Sequence, residues 1–581
     1  MTISTSHATQ EQVNALVEIG ILLSSERDRE RLVAHILHSG KHLARCDAAT
    51  LYLKTENDTL RFAVRSRDDD LPAVELPLRN VDGTPNEQYV STWVAVHRQL
   101  ANIANVYAET RFDLTGTRHF DAITGFRTVS LLTLPMCRRN GELVGVLQYI
   151  NARDAAGNIV AFDASAVDLL SALASQAAVS LDVTKLISEQ QQLIDTVVRI
   201  IAEAIDSRSP YTGGHCRRVP ELAVMLAEAA CAKADGPLAA FNFEDEDAWR
   251  EFRIGAWLHD CGKVAVPDSV MDKSTKLDAS YNRLHEIRTR FEVVLRDIEI
   301  ARLQSLLAGE PPDVAQSKAD AARAALQDDF AFVASCNLGG ETLDDAELAR
   351  LAAIGAREWQ RHFDDRIGLS EDERVRIEGM APASLPTRET LLADKPHHVV
   401  PRDRAHTPDP RYGFKMAIPD NLAHYGELHN LSVRRGTLTE EERYRINEHM
   451  IHTVTVLESL PFPAHMRRVP EYATTHHETL AGTGYPRRLT EAELSTPARI
   501  VAIADVFEAL TAVDRPYKKG MVLSEALAIM ARMRDDRHID ADLFALFLES
   551  GVYLDYARRF LKTEQIDAVD LSRYLAPGAT R

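Results

Sequence analysis

At 581 residues and 64.7 kDa the chain is too long for one core, and ordinary domain sizes predict roughly three domains or fewer. Its formal net charge of −19 excludes a sequence-independent binder of nucleic-acid polymers, which needs a basic face, but not a small phosphate ligand held in one local pocket. The six cysteines are scattered with no CxxC pair, so reduced thiols are expected rather than a disulfide framework or zinc ribbon. Residues 1–12 are polar and lack the basic and apolar regions of a signal peptide. No apolar run reads as long enough to span a bilayer, so a cytoplasmic protein without membrane contact is the expectation.

Taken in order, residues 13–38 carry the spacing of an amphipathic helix pair (Val13, Leu16, Val17, Ile21, then Leu32, Val33, Ile36). Alternating strands follow at 49–53 and 60–64, then at 129–134 and 143–150, the second pair joined by Asn140-Gly141, a strong hairpin signal. Helices with an antiparallel sheet make an α+β module. From Asp168 to Asp206 the pattern is continuously helical. A stripe of Val179, Val183, Leu186, Leu193, Val197 and Ile200, interrupted by Gln190, steps by three and four like a coiled-coil seam. This predicts a signalling helix paired in a parallel homodimer.

Apolar-periodic helices then fill 207–277 and 438–575. Between them, 278–437 is charged and mostly helical, losing regularity around Lys395–Pro410, and reads as an insertion. Thr439-x-x-Glu442 is a capping-box pattern opening a helix that carries His449, eleven residues after Leu438. Eleven after Leu277 stands Arg288 instead, and His285 is out of phase, so it is expected on the surface.

The chemistry centres on Trp257-Leu-His259-Asp260-Cys-Gly-Lys263 at the end of an apolar helix. An adjacent imidazole and carboxylate in a buried setting need compensation, which a divalent cation supplies. The two oxygens of Asp260 can bridge two metals, and Lys263 can aim its cation at an anion held there. His215, His449, the pair His476-His477 and Asp505 also lie in or at the ends of apolar helices. Each would need its own partner in a plain core, so one shared metal centre explains them more economically. Gly482 and Gly484 fit a helix ending near the histidine pair.

The first third of the chain resembles a GAF domain over 12–182. The carriers are Asn105-Val-Tyr107 with Arg111-Phe112, Thr124-Gly-Phe126-Arg-Thr128, Gly141 to Gln148, and Phe162 leading to Ala174-Ser-Gln176-Ala177. Cyclic-nucleotide-binding GAF domains carry Asn-Lys…Phe…Asp-Glu. Here stand Asn151-Ala152-Arg153 and Ala166-Val167, so the resemblance implies a sensor of an unidentified small molecule or a dimerising module.

The remainder resembles an HD-GYP domain of the HD metal-phosphohydrolase superfamily. The matching residues are Gly214-His215-Cys-Arg-Arg218, His259-Asp260-Cys-Gly262-Lys263, His449, His476-His477-Glu478…Gly482-Thr-Gly484-Tyr485-Pro486, Ala504-Asp505 and Asp514-Arg515-Pro516-Tyr517-Lys518. The expected architecture is multidomain: an α+β GAF domain (12–182), a linker helix (183–205), and an all-α HD-GYP domain in two parts (206–277 and 438–575) around the mostly helical insertion (278–437). The resemblance implies hydrolysis of cyclic di-GMP to pGpG, either stopping there or continuing to GMP. One metal would take His215, His259, Asp260 and Asp505, and a second would share Asp260 and take His449, His476 and His477. Lys263 would stabilise phosphoryl charge, Arg515 and Lys518 would hold ligand phosphates, and Tyr485 would stack on the nucleotide. The mixed imidazole and carboxylate set suits iron or manganese. Tyr211 stands where some members place a Glu for a third metal, so two are expected. Ala481 replaces a frequent Asp, and on that departure and the insertion the alternative is a catalytically silent receptor or scaffold that binds cyclic di-GMP, or a diguanylate cyclase or another signalling protein, through the Gly-Tyr-Pro surface.

Overall fold

The computed structural model describes residues 14, 16–26, 28–66, 75–208, 214–403, 407–513 and 520–575. It separates into two compact units, Met1–Ile194 and Asp195–Arg581.

In the first unit a helix at Leu16–Ser25 precedes α1 (Arg29–Ala44), which is capped by the Asp28 carboxylate accepting from the N–H groups of Glu30 and Arg31. The strands are β1 (Cys46–Lys54), β2 (Thr59–Arg65), β3 (Glu75–Pro77), β4 (Ala101–Ile103), β5 (Leu131–Cys137), β6 (Leu143–Arg153) and β7 (Ile159–Val160). They form one antiparallel sheet in the order β3-β2-β1-β6-β5-β4, with β7 on β6. Both expected hairpins are present, and Gly141 takes φ +84° in the turn between β5 and β6, a conformation that glycine adopts without strain. Alternation along each strand feeds two cores. Leu51, Leu134 and Leu147 meet Ile36 of α1 and Leu173 on one face. Tyr52, Leu131 and Val146 meet Val90 and Val94 of α2 (Val90–His97) on the other. Helix α3 (Thr115–Thr124) follows β4.

Helix α4 runs 45 residues, Ala164–Arg208. Leu170, Leu173, Ala177 and Leu181 are buried in the sheet core. The seam residues Val179, Val183, Leu186, Leu193, Val197 and Ile200 are each 45–63% exposed. Where the sequence reading found no run long enough to cross a bilayer, α4 is, among the described residues, the one helix long and apolar enough by length and composition. The reason is physical: one face of the helix is core and another is an exposed seam, and together they raise its apolar content without a continuous apolar run.

In the second unit, helices α5 (His215–Cys231), α6 (Glu246–Leu258), α9 (Glu440–Ser459), α10 (Val469–Thr474) and α11 (Thr496–Thr511) surround the site. A large core joins Leu222 and Leu226 of α5, Phe252 of α6, and Ile503 and Phe507 of α11 to the carboxy-terminal helices. The middle segment has a core of its own. Its paired helices α7 (Leu284–Leu307) and α8 (Pro312–Leu338) pack Ile287, Phe291, Leu326 and Val333 against Leu277, Leu391 and Leu431. His285 is exposed, as expected. Two small antiparallel ribbons, β8 (Glu358–Arg361) with β9 (Thr387–Thr390) and β10 (Val399–Pro401) with β11 (Asn421–His424), add strands that the sequence pattern did not reveal. Three or four residues are too few for a period-two signal to stand out.

The segment leaves and returns at neighbouring points. Buried Lys273 places Nζ 2.7 Å from each carboxylate oxygen of Glu442 and 3.1 Å from Asn430 Oδ1. Lys276 Nζ donates to the carbonyls of Leu431 (3.0 Å) and Val433 (2.7 Å).

Candidate metal centre

Each side chain of the constellation is aimed by local backbone chemistry. Asp206 accepts from the N–H groups of Gly214 (3.1 Å) and Cys216 (3.0 Å), supplying a partner for donors at the start of α5 and setting His215 at its first position. His259 and Asp260 follow the last residue of α6 and lead into a 3-10 turn, Cys261–Ala265. That turn lies directly against α9. A Cβ on Gly262 would fall 1.9 Å from the carbonyl oxygen of His449, and the Gly262 N–H donates to Thr453 Oγ1 at 3.0 Å. The glycine is therefore a close-approach requirement that brings Asp260 and His449 together.

Three imidazoles are fixed the same way. The Nδ1 atoms of His259, His449 and His476 lie 2.8, 2.7 and 3.1 Å from the carbonyls of Ala256, Ile446 and Ala473. A carbonyl only accepts, so Nδ1 carries the proton and Nε2 keeps its lone pair for a metal. The donor atoms converge in two groups: His215, His259 and Asp505, and then Asp260, His449, His476 and His477. Within each group the ligand atoms all lie within 4.8 Å of one another. Asp260 joins them. Its Oδ2 is 3.0 Å from His215 Nε2 and 3.2 Å from His259 Nε2, while its Oδ1 is 3.4 Å from His449 Nε2.

This arrangement passes a test for fit to cations. Asp260 Oδ1, His449 Nε2 and His476 Nε2 are buried and have no hydrogen-bond partner among the described residues, a cost of about 1–3 kcal/mol each unless something binds them. Electrostatics agrees. Burial, reinforced by neighbouring imidazoles, holds His476 and His477 well below the usual histidine range, and burial brings His449 down to about 4. All three are therefore held as neutral imidazoles, the form a cation can bind. Burial opposes charge on Asp260, but Lys263 and His259 hold its carboxyl well below the usual range. The Lys263 amine bonds Asp260 Oδ2. Burial likewise disfavours a charged His215, yet Glu508 and Asp260 carry it up to about 10.

Glu508 is the residue that sequence reasoning missed. It stands one turn after Asp505 on α11, is 1% exposed, and receives His215 Nδ1 at 2.5 Å and Arg218 Nε at 2.8 Å. The spacing Asp505-x-x-Glu508 on one helix face was the available signal. Glu478, also unassigned from sequence, is buried and accepts from the N–H groups of Arg487 (2.7 Å) and Leu489 (2.9 Å), holding the Gly-Tyr-Pro loop. In that loop a Cβ on Gly484 would lie 2.5 Å from Glu478 Cα. Tyr485 stacks on His477 with ring centroids 4.8 Å apart. Arg515 and Lys518, like Tyr211 and the rest of Asp514–Tyr517, lie outside the described residues.

In the first unit, a cavity of about 200 Å³ is lined by Thr50, Tyr52, Phe62, Tyr89, Thr117 and Thr128 among others.

Comparison with known proteins gives a GAF domain match over residues 28–181 and an HD domain match over residues 386–543. The second takes in His449, His476, His477 and Asp505 and begins after His215, His259 and Asp260. The 3'3'-cGAMP-specific phosphodiesterase 3 of Vibrio cholerae is 35% identical over 22% of this chain and 27% of its own length. A cyclic di-GMP phosphodiesterase of Pseudomonas aeruginosa is 34% identical over 24% of this chain and 30% of its length. A cyclic di-GMP phosphodiesterase of Thermotoga maritima is 36% identical over 19% and 27%. The chain thus spans less than a third of the length of these relatives. The sheet unit, the long helix and the helical unit with its histidine and aspartate cluster agree with these matches: the chain is a multidomain protein with an N-terminal GAF domain and a helical C-terminal HD domain.

Proposed function

We propose that the chain is a sensor-regulated, metal-dependent phosphodiesterase that hydrolyses cyclic di-GMP to pGpG, either stopping there or continuing to GMP. The observation that carries the reading is Asp260, whose two oxygens face two separate groups of imidazole and carboxylate side chains. His215, His259, Asp260 and Asp505 would hold one divalent cation, and Asp260, His449, His476 and His477 the other, iron or manganese by donor type. Such a pair supplies an activated water near neutral pH and a clamp for in-line displacement at phosphorus. The chain does the rest. Lys263 stands beside Asp260 to offset phosphoryl charge. Tyr485, stacked on His477, presents its ring to a base. Arg515 and Lys518 contribute cations for the phosphates. The relatives' names divide between cyclic di-GMP and 3'3'-cGAMP, so the two share a substrate class and both belong in the test.

The same reading gives the GAF cavity a small-molecule regulator, and makes the exposed seam of α4 a parallel homodimer contact. Anaerobically purified protein, supplied with iron or manganese, should convert cyclic di-GMP to pGpG, and His259→Ala/Asp260→Ala should not. Retained nucleotide binding without product in the wild type would make the chain a receptor instead.

A further inference from the structure

The middle segment touches the rim of the candidate metal centre. The N–H of Lys415 donates to Pro486 O at 2.8 Å, and Arg487 Nε donates to Tyr412 O at 2.9 Å. Arg402 pairs with Glu448, the neighbour of His449, at 2.9 Å and stacks over the Tyr444 ring at 4.6 Å. Between this stretch, the first turns of α9 and the Gly-Tyr-Pro loop lies an open cavity of about 230 Å³. A single water needs only ~10–15 Å³, so the space suits a larger guest. Its walls include Met416, Pro419, Arg443, Tyr444, Tyr485 and Arg488.

Three properties define that guest. Arg443 and Arg488 are exposed cations that make no ion pair among the described residues, so an anion can recruit both without breaking a bond. Met416, Pro419 and the Tyr485 ring are flat or apolar surfaces, suited to a planar ring. Tyr444 is 5% exposed, yet its phenol oxygen has no hydrogen-bond partner among the described residues, which is costly until a polar group meets it. A planar polar ring carried on a phosphate answers all three. Because Tyr485 lines the cavity with its ring stacked on His477, the cavity adjoins the centre where a phosphodiester would be cut.

We propose that this cavity holds the second nucleotide of the cyclic dinucleotide, its base against Met416 and Tyr485 with a hydrogen bond to Tyr444, and its phosphate on Arg443 and Arg488. The middle segment thereby supplies one wall of the substrate site and takes part in substrate choice. This rests on the phosphodiesterase reading above. The test compares kcat/KM for cyclic di-GMP with that for bis(4-nitrophenyl) phosphate, a diester without a purine, in the full chain. Tyr444→Phe keeps the ring on which Arg402 stacks and removes one hydroxyl. It should lower kcat/KM for cyclic di-GMP by about three- to tenfold relative to the small diester, the size of one neutral hydrogen bond. Arg443→Ala/Arg488→Ala should lower that ratio by more than about tenfold, consistent with charge-assisted bonds. Equal losses on both substrates, or none on cyclic di-GMP, would overturn the assignment while leaving the phosphodiesterase intact. A wild type that cleaves the small diester but neither cyclic di-GMP nor 3'3'-cGAMP would overturn the parent reading, and this one with it.

Discussion

Replacing Glu508 by Gln changes one carboxylate oxygen to an amide nitrogen and leaves the shape. In the native site Oε2 faces His215 Nδ1 at 2.5 Å, while Oε1 faces Arg218 Nε at 2.8 Å. Both neighbours are donors when His215 is a metal ligand through Nε2, and an amide has only one accepting end. If its oxygen stays with Arg218, the NH2 group meets His215 Nδ1 and forces that nitrogen to accept. The ring proton then moves to Nε2, 3.0 Å from Asp260 Oδ2, and His215 is lost as a ligand. If the amide turns the other way, its NH2 opposes the Arg218 guanidinium. Either arrangement weakens one metal group and spares His449, His476 and His477. Changes to partners of metal-bound histidines typically cost 10–100-fold in affinity, so the expected loss is about 1.4–2.8 kcal/mol at one site. Metal titration by calorimetry, with elemental analysis after dialysis, should show one site unchanged and one weakened by that factor, with a parallel fall in kcat. Two sites of native affinity in Glu508→Gln would refute the reasoning, as would equal weakening of both.

Gly262→Ala would drive a methyl into the His449 carbonyl and against Thr453. Overpacking and the strained Gly262–Thr453 bond together should cost about 2–4 kcal/mol in denaturant unfolding, and a loss below about 1 kcal/mol would mean the turn and α9 separate easily. Leu186→Glu with Leu193→Glu places charges on the exposed seam of α4 and should convert a dimer to a monomer in sedimentation equilibrium, whereas an unchanged mass would remove the seam as the contact. His429 and Glu441 form an ion pair at 3.5 Å between the middle segment and α9. The ion pair with Glu441 raises His429 above its usual 6.5, and His429 brings Glu441 down from 4.5 to about 2. The histidine contribution is complete below its unfolded value and fades as pH rises through the raised one. The carboxylate contribution is complete above 4.5 and fades as pH falls towards 2. His429→Gln should therefore lower Tm most between about pH 4.5 and 6.5 and least near pH 9, and a deficit that grows with pH would contradict the pairing.

What the sequence made legible follows from how local each signal is. The two hairpins of the GAF sheet are written in alternation and in Asn140-Gly141, and both form. The seven ligand candidates are conspicuous because histidines on apolar helices need partners, and the structure gathers all seven. His449 could be placed because the Thr439 capping box fixes the phase of its helix, and that box forms as expected. Glu508 was hidden by its chemistry: an acid on a helix reads as solvated surface until His215 and Arg218, some 290 residues earlier, are seen against it. Gly262, Thr453 and Tyr444 were hidden for the same reason, since their roles exist only where separate elements meet. The ribbons of the middle segment left no trace because each strand spans three or four residues.

Helix α9 is where these long-range contacts converge, and its order explains why a 160-residue segment can precede a candidate metal ligand without disturbing it. The first turn is fixed twice: Glu442 closes the cap on the Thr439 N–H at 3.0 Å and also receives Lys273, which lies before the segment begins. The second and third turns offer Tyr444 and Glu448 to Arg402 of the segment. His449 follows at once, and one turn later Thr453 receives the Gly262 N–H. His449 is thus held from both ends by residues that lie outside the segment, through Lys273 and Gly262. Because the chain departs and returns within reach of Lys273, Asn430 and Glu442, the entropy of closing so long a loop grows only with the logarithm of its length, and the segment's own core offsets the ordering of its residues. Among the described residues the segment meets α9 at Tyr444, at Glu448 and in the first turn, where His429 pairs with Glu441, and Tyr444 also lines the cavity beside the Gly-Tyr-Pro loop. That geometry leaves it able to shape what binds at the rim while the donor groups below keep their places.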